Sequence, residues 1–157
     1  IYAAALTEET AKWAGGWADG LVTVRRPLPQ MKKMIEAFKE GGGDNKPMVL
    51  QMQISWAETY KEALISAHDQ WRHTAIDVDC AETASPEAFD HACMHVQPQE
   101  MAKAMFIASD AASHAAHIKE YMDLGFDEIY LHNAGRNQSA FISFFGKSVL
   151  PLLRYNT

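Results

Sequence analysis

Ile1-Tyr2-Ala3-Ala4-Ala5-Leu6-Thr7-Glu8-Glu9-Thr10 passes from an unbroken apolar run into a hydroxyl and then two carboxylates. Six apolar residues are too few for a buried helix and suit a strand covered on both faces. Thr7 is a good helix N-cap, because its side-chain oxygen accepts an amide hydrogen from the turn that follows. Glu8 and Glu9 then sit at the positive end of the helix dipole. A strand running straight into a capped helix is the first half of a βαβ unit, and the pattern recurs downstream.

The first helix is expected to reach about Trp17; Asp19-Gly20 turns the chain, and Leu21-Val22-Thr23-Val24 is a second strand. Pro27 and Pro29 open a helix with Leu28, Met31, Ile35 and Phe38 at helical spacing, ended by Gly41-Gly42-Gly43. Pro47 introduces a third strand from Met48 to Ile54, and Tyr60, Ala63, Leu64, Ala67 and Trp71 mark one face of the next helix. Residues 74–110 lose this periodicity and read as a helical insertion. Ser85-Pro86-Glu87 and Gln97-Pro98-Gln99-Glu100 are helix starts within it, and Met105 to Ala108 is a short extended piece. A helix from about Ala111 to Leu124 is stopped by Gly125; Ile129-Tyr130-Leu131-His132 is a fourth strand, and a last helix runs from Asn137 towards Leu150, with Pro151 near its end. Four strand–helix units predict an α/β fold with parallel strands, read as a single domain over residues 1–157. Two architectures satisfy the pattern: half of an eight-unit barrel, or a small open sheet with helices on both faces.

Composition narrows the function. The chain has 157 residues, 48% hydrophobic and 22% charged, with a net charge of −6. No basic cluster is present to neutralise phosphates, so a nucleic-acid surface is not expected. No apolar run reaches the roughly 18 residues of a membrane span. Cys80 and Cys93 form no metal spacing and no disulfide framework, which points to a reducing cytoplasmic setting. The chain opens at Ile1 within an apolar run, and is read as a piece of something longer or a processed product.

Several stretches carry a resemblance. Ile1 to Leu6, Ala11-Lys12-Trp13-Ala14-Gly15, Ala18 to Thr23, Leu124-Gly125-Phe126-Asp127-Glu128-Ile129-Tyr130-Leu131-His132-Asn133 and Phe144-Phe145-Gly146-Lys147-Ser148-Val149-Leu150-Pro151 together resemble the C-terminal half of the luciferase-like flavin monooxygenase family, which includes deazaflavin-dependent dehydrogenases. The resemblance implies strands five to eight of a (β/α)8 TIM barrel of about 250 residues or more. It also implies that the other half carries much of the isoalloxazine pocket and the usual active-site histidine, so that this chain alone is inactive and its own catalytic residues are unknown. The flavin phosphate is placed by the resemblance at the first turn, with Ala5, Leu6, Thr7 and Thr10 as cofactor-binding residues. Glu8 and Glu9 depart from the Gly- or Pro-rich turn of deazaflavin relatives, which favours FMN over deazaflavin. The plain alternative is that Thr7 only caps its helix.

Arg25, His132 and Asn133 are the expected substrate-binding residues, at the ends of the second and fourth strands. Arg25 and Arg26 together follow the second strand directly and are placed to face a substrate anion, with a solvated loop pair as the plain alternative; Arg136 is a weaker candidate. His91 with His95, and His114 with His117, have helical spacing that zinc sites use, but without a third ligand or a metalloprotease glutamate no metal is expected. Trp13, Trp17, Trp56 and Trp71 read as packing residues on helices, and Phe141, Phe144, Phe145 and Val149 as a core-facing stripe. A half-barrel leaves sheet edges open, so a homo-oligomer, or pairing with the missing N-terminal half, is expected. The alternative to a flavin-dependent oxidoreductase is a non-catalytic half-barrel that oligomerises or binds a phosphorylated ligand.

Overall fold

The computed structural model describes residues 1–76 and 85–154; Cys80 and the early part of the proposed insertion lie outside the described residues. The strands are β1 (Tyr2–Ala4), β2 (Gly20–Val24), β3 (Met48–Trp56), β4 (Phe106–Ala108) and β5 (Glu128–Asn133). The helices are α1 (Glu8–Gly15), α2 (Leu28–Phe38), α3 (Tyr60–Trp71), α4 (Pro86–Cys93), α5 (Met101–Ala104), α6 (Ala111–Met122), α7 (Gln138–Phe144) and α8 (Leu150–Arg154). The chain divides into two compact units, Ile1–Gln53 with Ala116–His132, and Ile54–Ala115 with Asn133–Thr157.

In the first unit, β1 pairs in parallel with β2 (Tyr2 opposite Gly20, Ala4 opposite Val22), and β2 with β3 (Leu21 opposite Met48, Val24 opposite Gln51). β5 also pairs with β3. That pairing begins with a two-point clasp: the Asp127 amide donates to the Met48 carbonyl at 2.9 Å, and the Met48 amide donates to the Asp127 carboxylate at 2.8 Å. Burial alternates along β1 and, apart from its buried first residue Gly20, along β2, while β3 opens with Met48, Val49 and Leu50 all buried. Ala3, Leu21, Thr23, Met48, Leu50 and Met52 are buried, as are Ala11 and Ala14 of α1 and Met31, Met34, Ile35 and Phe38 of α2. Tyr2, Ala4, Glu128, Tyr130 and His132 are exposed. The apolar spacing of α2 therefore does what it predicts. A π turn, Lys39–Gly43, follows α2, with Gly42 at φ +102°, a conformation that glycine adopts without a steric penalty. A Cβ at Gly41 would overlap the Lys12 carbonyl, so the glycine run also lets this turn close on α1.

In the second unit, Ile54 to Trp56 of β3 pair in parallel with Phe106 to Ala108. Ala57, Ala63, Ala67, Val96, Met101, Met105, Ile107 and Ala134 form its core. Phe141, Phe145 and Val149 are buried, and Phe144 stacks on Trp56 with ring centroids 4.4 Å apart.

Several expectations are corrected. The extended piece at Phe106 to Ala108 is a paired strand, so five strands form among the described residues where four were read as full units. Trp13 and Trp17 do not pack in the core: they are 65% and 48% exposed and meet each other edge to face at 5.0 Å. α1 buries its alanines, Ala11 and Ala14, against α2, so the large rings at neighbouring positions point away. Trp56 is buried, but on a strand. The last helix is longer than expected, running through to Arg154, and it widens into a π turn, Phe145–Val149, before α8. Pro151 has no amide hydrogen to offer the carbonyl four residues back, which accounts for the widening. His91 and His95 share no helix, because α4 ends at Cys93.

Candidate functional site

The C-terminal ends of β1 and β2 carry a cleft of about 340 Å³, lined by Leu6, Thr7, Glu8, Glu9, Arg26, Gln30 and Met34. Two helix starts border it. Thr7 has extended backbone (φ −128°, ψ 155°) and caps α1, its Oγ1 accepting the Thr10 amide at 3.2 Å. The same hydroxyl donates to Thr10 Oγ1 at 3.0 Å, which leaves the Thr10 hydroxyl hydrogen available to another acceptor. The amides of Glu8 and Glu9 have no helical carbonyl to reach, as at any helix N-terminus. Across the cleft, Pro27 opens α2, and its carbonyl accepts the amides of Gln30 (2.9 Å) and Met31 (3.1 Å). Pro27 has a set φ and no amide hydrogen, so it suits this start.

The wall from β2 is held from behind. Tyr121 of α6, only 2% exposed, donates its hydroxyl to the Arg26 carbonyl at 3.0 Å and accepts from Arg25 Nη1 at 3.5 Å. Arg25 is thus turned towards Tyr121, while the exposed Arg26 lines the cleft. Neither the charge pattern nor the spacing separates two adjacent arginines; the separation comes from a tyrosine 95 residues away. Gln30 and Met34 were not singled out as candidates. Their signal was the α2 register, since both follow the proline start on the cleft side of that helix.

The other expected residues fall elsewhere. Ala5 is buried and structural: its amide donates to the Val22 carbonyl (3.1 Å) and its carbonyl accepts from Thr23 Oγ1 (2.8 Å). Leu6 is exposed at the cleft edge. His132 is exposed on β5, and neither it nor Asn133 lines the cleft. Asn133 is 2% exposed; its Oδ1 accepts the Trp56 amide at 2.9 Å and its Nδ2 donates to Asn137 Oδ1 at 2.9 Å. Asn137 Nδ2 donates in turn to the Trp56 carbonyl at 3.1 Å. These two amides clasp the end of β3 beside a second cleft of about 270 Å³, lined by Trp56, Ala57, Glu58, Glu62, Ser66, Asn137 and Ala140. Arg136 is exposed and pairs with Asp69 at 3.5 Å.

A third cleft, of about 310 Å³, lies at the N-terminal ends of β3 and β5. Parallel α/β folds bind ligands at the C-terminal ends of their strands, which sets that cleft aside. His114 is fully buried, with Nε2 at 3.1 Å from the Ala108 carbonyl and its ring edge-on to Phe106 and Phe145. Burial lowers its pKa below the ordinary value, an effect that the Ala108 carbonyl and Asp110 partly oppose. No group of three or more metal-ligating side chains occurs among the described residues.

A profile of luciferase-like monooxygenases matches residues 1–128. The chain belongs to the luciferase-like monooxygenase family. Among its relatives, the F420-dependent glucose-6-phosphate dehydrogenase of Amycolatopsis mediterranei is 26% identical over 163 residues, a match covering 98% of this chain and 49% of that protein. A solved F420-dependent secondary alcohol dehydrogenase, in complex with an F420-acetone adduct, matches with a TM-score of 0.79 at 21% identity, over 98% of this chain and 48% of that one. The coenzyme F420 dependent tetrahydromethanopterin reductase from Methanopyrus kandleri matches with a TM-score of 0.71 at 18% identity, over 96% and 50%. The chain spans about half the length of the curated relatives it matches. Its fold is that of half a luciferase-like barrel: α/β, with parallel strands. No helix among the described residues is long and apolar enough to cross a membrane.

Proposed function

We propose that this chain supplies the cofactor-phosphate site of a luciferase-like, flavin-type oxidoreductase, and that the cleft between α1 and α2 is that site. The observation that carries the reading is the convergence of two helix starts with Arg26 at the C-terminal ends of adjacent parallel strands. The residues fit a phosphate: a guanidinium, the Gln30 amide and the first-turn amides of α1 are donors, whereas Thr10, expected at this site, is not among the lining residues. Glu8 and Glu9 are the opposing charges, and they suit the site only if turned to solvent. Thr7 serves mainly as the cap that holds this turn.

The cofactor, when bound, supplies hydride chemistry; the protein binds and orients it. The relatives above make F420 the first cofactor to test, with FMN, which the Glu8-Glu9 turn favours, as the second. His132 and Arg25 belong on the substrate side in this reading, Arg25 through the wall it forms with Tyr121. The catalytic activity is that of a protein of which the matched relatives have twice the length, so a partner or a further segment completes it. Titration of the chain with F420 and with FMN, followed by cofactor fluorescence, tests the site. Binding weakened at least tenfold by Arg26→Ala is expected. Equal binding by wild type and Arg26→Ala overturns the assignment of the cleft, as does failure of the full-length protein to bind either cofactor.

A further inference from the structure

Arg25 and Arg26 are neighbours, and successive residues of an extended chain point to opposite sides. Only one of them meets the cleft, so whatever fixes the backbone here decides which guanidinium reaches a ligand. Two of the fixing bonds belong to regular structure. The Arg25 amide donates to the Gln51 carbonyl at 2.9 Å, which carries the β2–β3 ladder one residue further. Pro27 has no amide hydrogen with which to continue that ladder, and its carbonyl accepts the Gln30 and Met31 amides, at 2.9 and 3.1 Å, as α2 begins. The third bond, between these two, is supplied by a side chain from α6: the Arg26 carbonyl accepts the Tyr121 hydroxyl at 3.0 Å.

The same hydroxyl also takes a hydrogen from Arg25 Nη1 at 3.5 Å. One oxygen therefore engages both arginines, the main chain of Arg26 and the side chain of Arg25. Accepting from a guanidinium polarises the phenol O–H and strengthens its donation to the carbonyl. The result is asymmetric: Arg25 is half-buried and drawn towards α6, while Arg26 is exposed and lines the cleft with Gln30. Tyr121 is itself only 2% exposed, and its ring meets His117, one turn earlier on α6, edge to face at 5.3 Å. Tyr121 is not a lining residue of the cleft, so its effect on a ligand there passes through Arg26.

We infer that Tyr121 is a positioning residue of the cofactor-phosphate site, its hydroxyl committing Arg26 to the cleft and Arg25 to the wall behind it. The inference rests on the assignment of the cleft made above. The test is a double-mutant cycle in the full-length protein: wild type, Tyr121→Phe, Arg26→Ala and the double variant, each titrated with F420 and with FMN and followed by cofactor fluorescence. Tyr121→Phe removes one oxygen and keeps the ring against His117, and a urea midpoint on each variant checks the fold. In the protein with Arg26, Tyr121→Phe is expected to weaken cofactor binding by about fivefold or more, the loss of one hydrogen bond that holds the guanidinium in place. In the Arg26→Ala background it is expected to change binding by less than about twofold, because nothing is left to position. A tyrosine that serves packing alone would weaken binding alike in both backgrounds. Unchanged affinity in Tyr121→Phe, an equal loss with and without Arg26, or loss of the fold in Tyr121→Phe overturns the role. Equal binding by wild type and Arg26→Ala, or no cofactor binding by the full-length protein, removes the cleft assignment and this role with it, so the two failures are told apart.

Discussion

Replacing Asn133 by alanine separates a structural role from a substrate-binding one. In the folded chain its Oδ1 takes the buried Trp56 amide hydrogen at 2.9 Å and its Nδ2 donates to Asn137 at 2.9 Å. Asn133→Ala leaves the buried Trp56 amide without its acceptor, a penalty of about 1–3 kcal/mol. The Asn137 oxygen loses its donor too, which adds about 1 kcal/mol. The expected loss is about 2–4 kcal/mol, or roughly 4–16 °C in Tm for a chain of this size. Urea unfolding followed by circular dichroism reads it directly. His132→Ala is the control: that side chain is exposed, and its removal should stay within about 0.5 kcal/mol of wild type. If the two variants unfold at the same urea concentration, the amide clasp contributes nothing and Asn133 returns to the list of residues free to meet a substrate.

Two further outcomes follow from the described geometry. Thr7→Ala should lower unfolding free energy by about 1 kcal/mol through loss of the α1 cap, while Thr7→Ser, which keeps the oxygen, should not; urea midpoints distinguish them. His114 is buried with its pKa depressed by desolvation, so the unfolded chain binds a proton more readily than the folded one. Stability is therefore complete above the ordinary histidine value of 6.5 and declines as pH falls from there towards the folded pKa. NMR titration of the His114 ring should show a midpoint below 6.5, and a midpoint at or above it would contradict the burial.

Alternation of apolar and capped segments was enough to read β1 to β3, α1, α2, α3 and α6, because in each case local pattern and tertiary burial agree. It missed the pairing of Phe106 to Ala108, since three residues have no periodicity and the strand exists only where Ile54 to Trp56 lie beside it. It misplaced Trp13 and Trp17 because size and apolarity say nothing about which face of a short helix meets its neighbour. At the cleft, Thr7 was legible from capping chemistry. Arg26 was not separable from Arg25, because Tyr121 decides between them from a distant part of the chain. Asn133 was placed at the right strand end, but its bonds to Trp56 and Asn137 were not legible, since a polar residue there serves a mouth or a backbone clasp equally well until its partners are known.

The Asp127–Met48 clasp joins residues 79 apart in the chain. A nascent polypeptide leaving the ribosome cannot form it until Ile54–Ala115 of the second unit has been synthesised, so β5 is expected to dock late in folding. The entropy of closing so long a loop grows only logarithmically, about 0.6 kcal/mol for each doubling. Evolution can therefore lengthen or trim the stretch between the two strands at little thermodynamic penalty, and the carboxylate of Asp127 is what keeps their registry constant while it does.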